Sequence, residues 1–142
     1  MELTSVFEDQ DAIPTEYTCD GDDVSPPITI EGLPAETRTL ALIVDDPDAP
    51  GGTFDHWIAF DIPPSDDIPE DVGDLGTSGR NSAGELGYKG PCPPSGSHRY
   101  IFRIYALDTE LGLPEGATKD EVLTAAEDHV LGQGTLVGTY SR

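Results

Sequence analysis

The chain has 142 residues, 28 of them Asp or Glu against 7 Lys or Arg, for a formal net charge of −21. A surface this acidic presents no basic face, which excludes nucleic acid as a partner, and no stretch approaches the length of a membrane span. The length is that of a single domain, residues 1–142, with enough chain to bury a two-layer core.

Lys89 and Lys119 are the only lysines. Self-repulsion on such a surface is largely screened at molar salt, where the Debye length falls to about 3 Å. The expectation is a halophilic source with a salt-filled cytoplasm. The opening residues carry neither the basic nor the apolar region of a secretion signal, so the expected protein is soluble and cytoplasmic, with no stable membrane insertion. Two cysteines, Cys19 and Cys92, permit one bridge. Reduced, buried thiols are the default in a cytosolic chain, and a Cys19–Cys92 pair is the alternative.

In chain order, residues 4–7 read as a short strand, 8–27 as a Pro/Gly/Asp-rich excursion, and 28–31 as the next strand. Strands follow at 38–44 and 56–62, separated by Asp45-Asp46-Pro47-Asp48-Ala49-Pro50 and a Gly51-Gly52 turn, the pattern of antiparallel neighbours. Along the second of these, strict alternation puts His56 on one face with Ile58, Phe60 and Ile62, and Trp57 on the other. Residues 66–89 are rich in glycine and read as loop. The run GYKGPCPP at 87–94 is stiffened by proline and cannot be regular helix.

Residues 98–107 then alternate, with His98, Tyr100, Phe102, Ile104 and Ala106 on one face. Thr118 and Glu121 fit a capping box, and Val122, Leu123, Ala126 and Val130 recur at helical spacing before Gly132. Residues 136–140 form a last strand. Strands dominate, which gives an all-β fold: an antiparallel β-sandwich with a peripheral C-terminal helix.

The loop between the paired strands brings Asp46 and Asp48 near His56, and a second histidine and a tyrosine head the later strand. Two histidines, two carboxylates and a phenol converging at the mouth of rigid strands are where a binding site is expected. Imidazole and hydroxyl groups supply hydrogen-bond donors there, and a carboxylate fixes a histidine tautomer. Asp-Pro-Asp also reads as turn chemistry, most strongly for Asp48. Trp57 reads as core, His129 as a residue at the helix C-terminus, and Arg99 as a partner for a neighbouring carboxylate.

DDPDAP at 45–50, His56-Trp57, GPCPPSGSHRYIF at 90–102 and YALD at 105–108 together resemble the phosphatidylethanolamine-binding protein family, in its short bacterial and archaeal branch similar to Raf kinase inhibitor protein. Ile13-Pro14, Tyr17-Thr18-Cys19-Asp20-Gly21, Ser25-Pro26-Pro27 and Leu136-Val137-Gly138-Thr139-Tyr140 extend the resemblance over the whole chain. It implies a large antiparallel sheet packed on a smaller one. It also implies a ligand pocket built from Asp46, Asp48, His56, Gly90, Pro91, His98 and Tyr100 that receives a small anionic ligand such as the phosphate of a phosphoethanolamine head group. Three positions depart from the family pattern, Ile30, Asp55 and Ala83, where relatives tend to carry aromatics. They imply a wider or more polar pocket.

The leading functional expectation is a binding protein, not an enzyme, with no cofactor and no metal, that modulates a kinase or protease. By analogy with short relatives it forms a homodimer. A metal-dependent or other hydrolase using the His/Asp cluster is the first alternative, although no His-x-x-x-His or Gly-x-Ser-x-Gly spacing supports it. A protein that works through its acidic surface alone is the second.

Overall fold

The structure, a computed structural model, describes residues 1–142. Its strands are β1 (Glu2–Thr4), β2 (Ile28–Glu31), β3 (Thr39–Asp46), β4 (Phe54–Ile62), β5 (Asp67–Ile68), β6 (Thr77–Ser78), β7 (Ser97–Leu107) and β8 (Val130–Ser141), with one α-helix, α1 (Lys119–Ala126), and a 3-10 turn at Thr15–Tyr17. The small sheet has the order β1-β2-β5 and the large one β6-β4-β3-β7-β8. All these strand pairs are antiparallel. The fold is mainly β, two sheets and one short helix. No helix is long and apolar enough to cross a membrane.

Burial follows the alternation of the strands. Leu40, Leu42 and Val44 of β3 meet Phe102, Ile104 and Ala106 of β7 in the layer between the sheets, closed by Leu3, Ile28, Ile30 and Ile68 from the small sheet. Ala41 and Ile43 face the other way, onto a second cluster in which Val122 and Ala126 of α1 cover Ile58 and Phe60. β3 is central and covered on both faces, so all eight of its residues are buried. Burying a Leu, Ile or Phe side chain contributes about 1.5–3 kcal/mol. The middle of β3 is therefore the stiffest support available to a site at its end.

Three boundaries differ from expectation. β1 lies at Glu2–Thr4 rather than 4–7 because its partner strand is preceded by Pro26-Pro27, which have no N–H to extend the ladder beyond Thr4↔Thr29. Phe7 enters the core from the loop instead. β8 begins six residues before the expected start at 136, in a stretch whose glycines read as breakers. They are needed for close approach: a Cβ on Gly134 would stand 2.8 Å from Leu3 Cγ, and one on Gly138 would collide with Ile13. The capping box forms, with the Thr118 hydroxyl accepting from Glu121 N–H. The helix stops at Ala126, well before Gly132: Glu127 leaves helical geometry with a ψ of 139°, and Asp128 follows at a left-handed φ of 69°, closing a turn in which His129 N–H donates to the Ala126 carbonyl.

The cysteines correct the expectation of reduced, buried thiols. Cys19 and Cys92 are bonded across 73 residues of sequence, with Cα atoms 5.5 Å apart, and both residues are exposed. Cys19 N–H donates to the Pro91 carbonyl at 3.1 Å. That bond lays the 8–27 excursion beside the proline-rich loop and brings the two side chains into register.

Candidate functional site

A cavity of about 390 Å³ opens where β3 ends, β4 begins and β7 begins. Asp46, His56, His98 and Tyr100 form its polar floor, while Ala49, Pro50, Phe54, Pro93 and Pro94 line its sides. Lys89, Gly90 and Cys92 complete it. The site joins the two loops singled out by the sequence, yet it is held by strands.

Asp46 is the last residue of β3 and has both carboxylate oxygens engaged. One accepts the Asp48 N–H at 2.8 Å and fixes the turn; the other accepts from His98 Nδ1 at 2.7 Å. A carboxylate there sets the His98 tautomer with the proton on Nδ1 and leaves Nε2 free. Asp46 and His98 are both buried, at 3% and 7% exposure.

His56 reaches the floor through a β-bulge. Val44 pairs with Trp57 but Asp45 pairs with Asp55, so His56 is the extra residue. The bulge overturns the alternation expected for β4. His56 lies on the same side as Tyr100 and not with Ile58 and Phe60, whereas Asp55 turns to the opposite face and pairs with Lys119 at 2.8 Å. Freed from the ladder, the His56 carbonyl accepts from Lys89 N–H at 2.9 Å, and His56 Nδ1 donates to the Lys89 carbonyl at 2.7 Å. A carbonyl only accepts, so Nδ1 holds the proton and Nε2 is again the free nitrogen. The ring sits between Phe54 and Tyr100, with centroids 4.9 and 5.2 Å away. Burial pushes the His56 pKa down, against the smaller opposing effects of the Lys89 carbonyl and the Asp46 carboxylate.

Tyr100 is 1% exposed, and its hydroxyl has no hydrogen-bond partner. Burial, and after it the Asp46 and Asp48 carboxylates, raise its pKa, so it remains a phenol. An unpaired buried hydroxyl costs about 1–3 kcal/mol. Here it stands on the floor of a cavity that has room for a group to pair with it.

Two of the seven expected site residues do not line the cavity. Asp48 is taken by Arg99: its carboxylate accepts from Nε and Nη2 at 2.9 Å each and from the backbone N–H at 3.0 Å. The Arg99 guanidinium holds the Asp48 pKa down at about 2. Asp48 thus ties the turn to β7 through Arg99, and the local turn-forming bond expected most strongly of Asp48 is made by Asp46 instead, whose Oδ1 accepts the Asp48 N–H. Pro91 is buried, and its carbonyl accepts from Cys19. Gly90 lines the cavity; its N–H donates to Asp23 Oδ1 at 2.8 Å, and a Cβ there would lie 2.5 Å from the Tyr17 carbonyl oxygen.

Phe54, Pro93, Pro94 and Lys89 were not singled out from sequence. The pairing of Asp46 with Phe54 across the strand was the available signal for the first. The departures from the family pattern do not touch the pocket: Ile30 is core, Asp55 faces Lys119 and Ala83 is exposed. Phe54 supplies an aromatic wall in their stead. Trp57 packs in the core, edge-on to Tyr88. His129 lies beyond the helix and pairs with Asp108 at 2.8 Å. No three His, Cys, Asp or Glu side chains converge to hold a metal ion.

A sandwich with a histidine-lined cavity at the ends of its central strands suits a binding protein, and the comparisons give the family. The phosphatidylethanolamine-binding protein profile matches residues 3–141, and the chain belongs to that family. A UPF0098 protein of Methanothermobacter thermautotrophicus is 53% identical over 98% of this chain and 97% of its own, and one of Pyrococcus abyssi is 48% identical over 100% and 85%. Among solved structures, a phosphatidylethanolamine-binding protein homolog from Chlamydia trachomatis superposes with a TM-score of 0.96 at 40% identity, covering 99% of this chain and 97% of that one. Escherichia coli YbcL, described as a member of the mammalian family, superposes at 0.90 with 28% identity, covering 99% and 98%.

Proposed function

We propose that the protein is a non-catalytic binding protein whose cavity receives a small anion, phosphate or the phosphate end of a phosphoethanolamine head group, and that ligand occupancy modulates a kinase or protease. The observation that carries this reading is the Tyr100 hydroxyl, buried and without a partner between two histidines whose Nδ1 atoms are already committed. A phosphate oxygen supplies the acceptor that Tyr100 lacks. The two free Nε2 atoms are acceptors while the rings are neutral, so the anion binds with a proton, carried either on a phosphate oxygen or on an imidazole. The unpaired group on the floor is the Tyr100 hydroxyl, a donor, so the anionic end of a zwitterion takes the floor and its amine points to the mouth.

The test is titration of wild type and Tyr100→Phe with inorganic phosphate and with phosphoethanolamine, followed by amide shifts in high salt. Saturable shifts at Asp46, His56 and residues 90–100, weakened in the variant, are expected. No shift at these residues at millimolar ligand overturns the reading.

The same proposal takes the acidic surface as suited to a salt-rich interior. The thermal midpoint then rises from low to molar salt, and an unchanged midpoint overturns this part.

A further inference from the structure

The anion-pocket reading underlies a further inference: we propose that the Cys19–Cys92 disulfide is a thiol-exchange site whose redox state sets the pocket wall, held when oxidised and released when a dithiol reduces it. Both cysteines are exposed, and Cys92 itself lines the cavity.

The wall on that side has firm flanks and a loose middle. On one flank, Lys89 makes two bonds to His56, Gly90 N–H is held by Asp23 and the Pro91 carbonyl by Cys19 N–H. On the other, Gly96 and Arg142 exchange backbone hydrogen bonds at 2.9 and 3.2 Å. Between them, Cys92, Pro93, Pro94 and Ser95 make no backbone hydrogen bond, and the two prolines have no N–H to give. Apart from packing, this stretch is anchored by the disulfide and by the Arg142 guanidinium, 3.3 Å from Cys92 Sγ.

Arg142 also fixes the direction of exchange. A thiolate attacks Cys19 Sγ, the S–S bond breaks, and its electron pair leaves on Cys92 Sγ, where the guanidinium stabilises the thiolate. The second thiol of the same dithiol then displaces Cys19 from the mixed disulfide. Two electrons and two protons pass from the dithiol, which becomes a cyclic disulfide, to the cysteines.

Reduction leaves the body of the fold tied. The Tyr88 hydroxyl still donates to the Tyr17 carbonyl at 2.7 Å, Gly90 remains on Asp23, and Asp20 still pairs with Arg142 at 3.2 Å. What changes is the wall. Pro93 and Pro94 lose their covalent anchor, which weakens retention of the ligand by raising the ordering cost of binding.

The experiment compares oxidised protein with protein held in dithiothreitol, in high salt, with inorganic phosphate as probe. On reduction, the 15N order parameters of Cys92 and Ser95 fall from about 0.85 towards about 0.6. The Gly96 and Cys19 amides exchange faster, the β7 amides of Phe102–Leu107 stay protected, and the phosphate Kd rises about tenfold, roughly what ordering one residue's backbone costs. Cys19→Ser reproduces the reduced behaviour without reductant, and Arg142→Gln slows reduction several-fold.

Unchanged order parameters, exchange and Kd on reduction overturn the proposal and leave the anion pocket standing. Loss of protection throughout β7 also overturns it, since the bond would then be a structural staple. If phosphate binds neither form while residues 92–96 loosen on reduction, the latch stands and the anion reading falls.

Discussion

Asp45 and Asp46 are adjacent at the end of β3, carry the same side chain and are both buried, yet they serve opposite faces of the large sheet. Asp45 points to the helix side, where Arg103 and Lys119 lie 3.2 and 3.3 Å away and Lys119 also meets Asp55. Two cations answer two carboxylates there, and the cluster is closed. Asp46 points to the other side, where its partner is a histidine that keeps one nitrogen free, next to a phenol with no partner at all. Identical chemistry one residue apart thus becomes structure where its partners are complete and, in the function proposed above, a binding site where they are left incomplete beside a cavity. The contrast rests that proposal on unfinished hydrogen bonding rather than on buried charge.

Substitution tests the contrast directly, and the largest effect falls on the closed side. Asp45→Ala leaves Lys119 and Arg103 short of a partly buried partner and lowers stability by about 3 kcal/mol, read from denaturant unfolding. The phosphate Kd of the protein that remains folded stays within about twofold, because no group in the cavity has moved. A comparable loss of affinity would merge the two faces into one functional unit.

His98→Asn shows the opposite pattern. The amide still donates to Asp46 but offers no counterpart to Nε2, so calorimetry gives a phosphate Kd raised tenfold or more, the equivalent of about 1.5–3 kcal/mol for a hydrogen bond to a charged group. The thermal midpoint moves little.

Tyr100→Phe sharpens the comparison further. The hydroxyl makes no bond in the free protein, so its removal leaves stability unchanged or slightly higher, while affinity falls by about 1 kcal/mol, roughly fivefold. A variant that is clearly less stable would show that the hydroxyl is satisfied in the free protein.

The smallest effect is on pH dependence. Burial depresses the folded pKa of His56 below its unfolded value of about 6.5. The unfolded chain therefore binds more protons in the window beneath 6.5. The stability contributed by the neutral buried ring is fully present above 6.5 and is lost as pH falls through the depressed folded pKa, with a slope of at most about 1.4 kcal/mol per pH unit. His56→Asn flattens that part of the stability profile. Saturating phosphate flattens it in wild type, because the anion favours the imidazolium.

The legibility of the chain followed how local each cause was. β7 could be read because its aromatic and aliphatic residues alternate without interruption, so His98 and Tyr100 fell on the correct face. The helix start was written in Thr118 and Glu121. The early half of β8 was hidden by glycines that are present because Leu3 and Ile13 press against the strand, a tertiary cause with no local signature. The side on which His56 emerges depends on a bulge set by pairing with Asp45, and alternation alone gave the wrong face. The family resemblance supplied the positions of the pocket residues. It did not supply the commitment of Asp48 to Arg99, the joined cysteines, or the solitary Tyr100 hydroxyl, each of which exists only once distant segments meet.

The bulge at His56 also makes β4 sensitive to length in a way that composition does not reveal. Deleting Asp55 would remove the extra residue and set His56 opposite Asp45, the place Asp55 now holds. The histidine would then be delivered under the helix to Lys119, and the cavity floor would lose one of its two imidazoles. Such a protein would keep every residue of the cavity in its sequence while leaving Asp46 with His98 alone beside Tyr100. In this fold the residue count of β4, as much as residue type, decides what stands on the cavity floor.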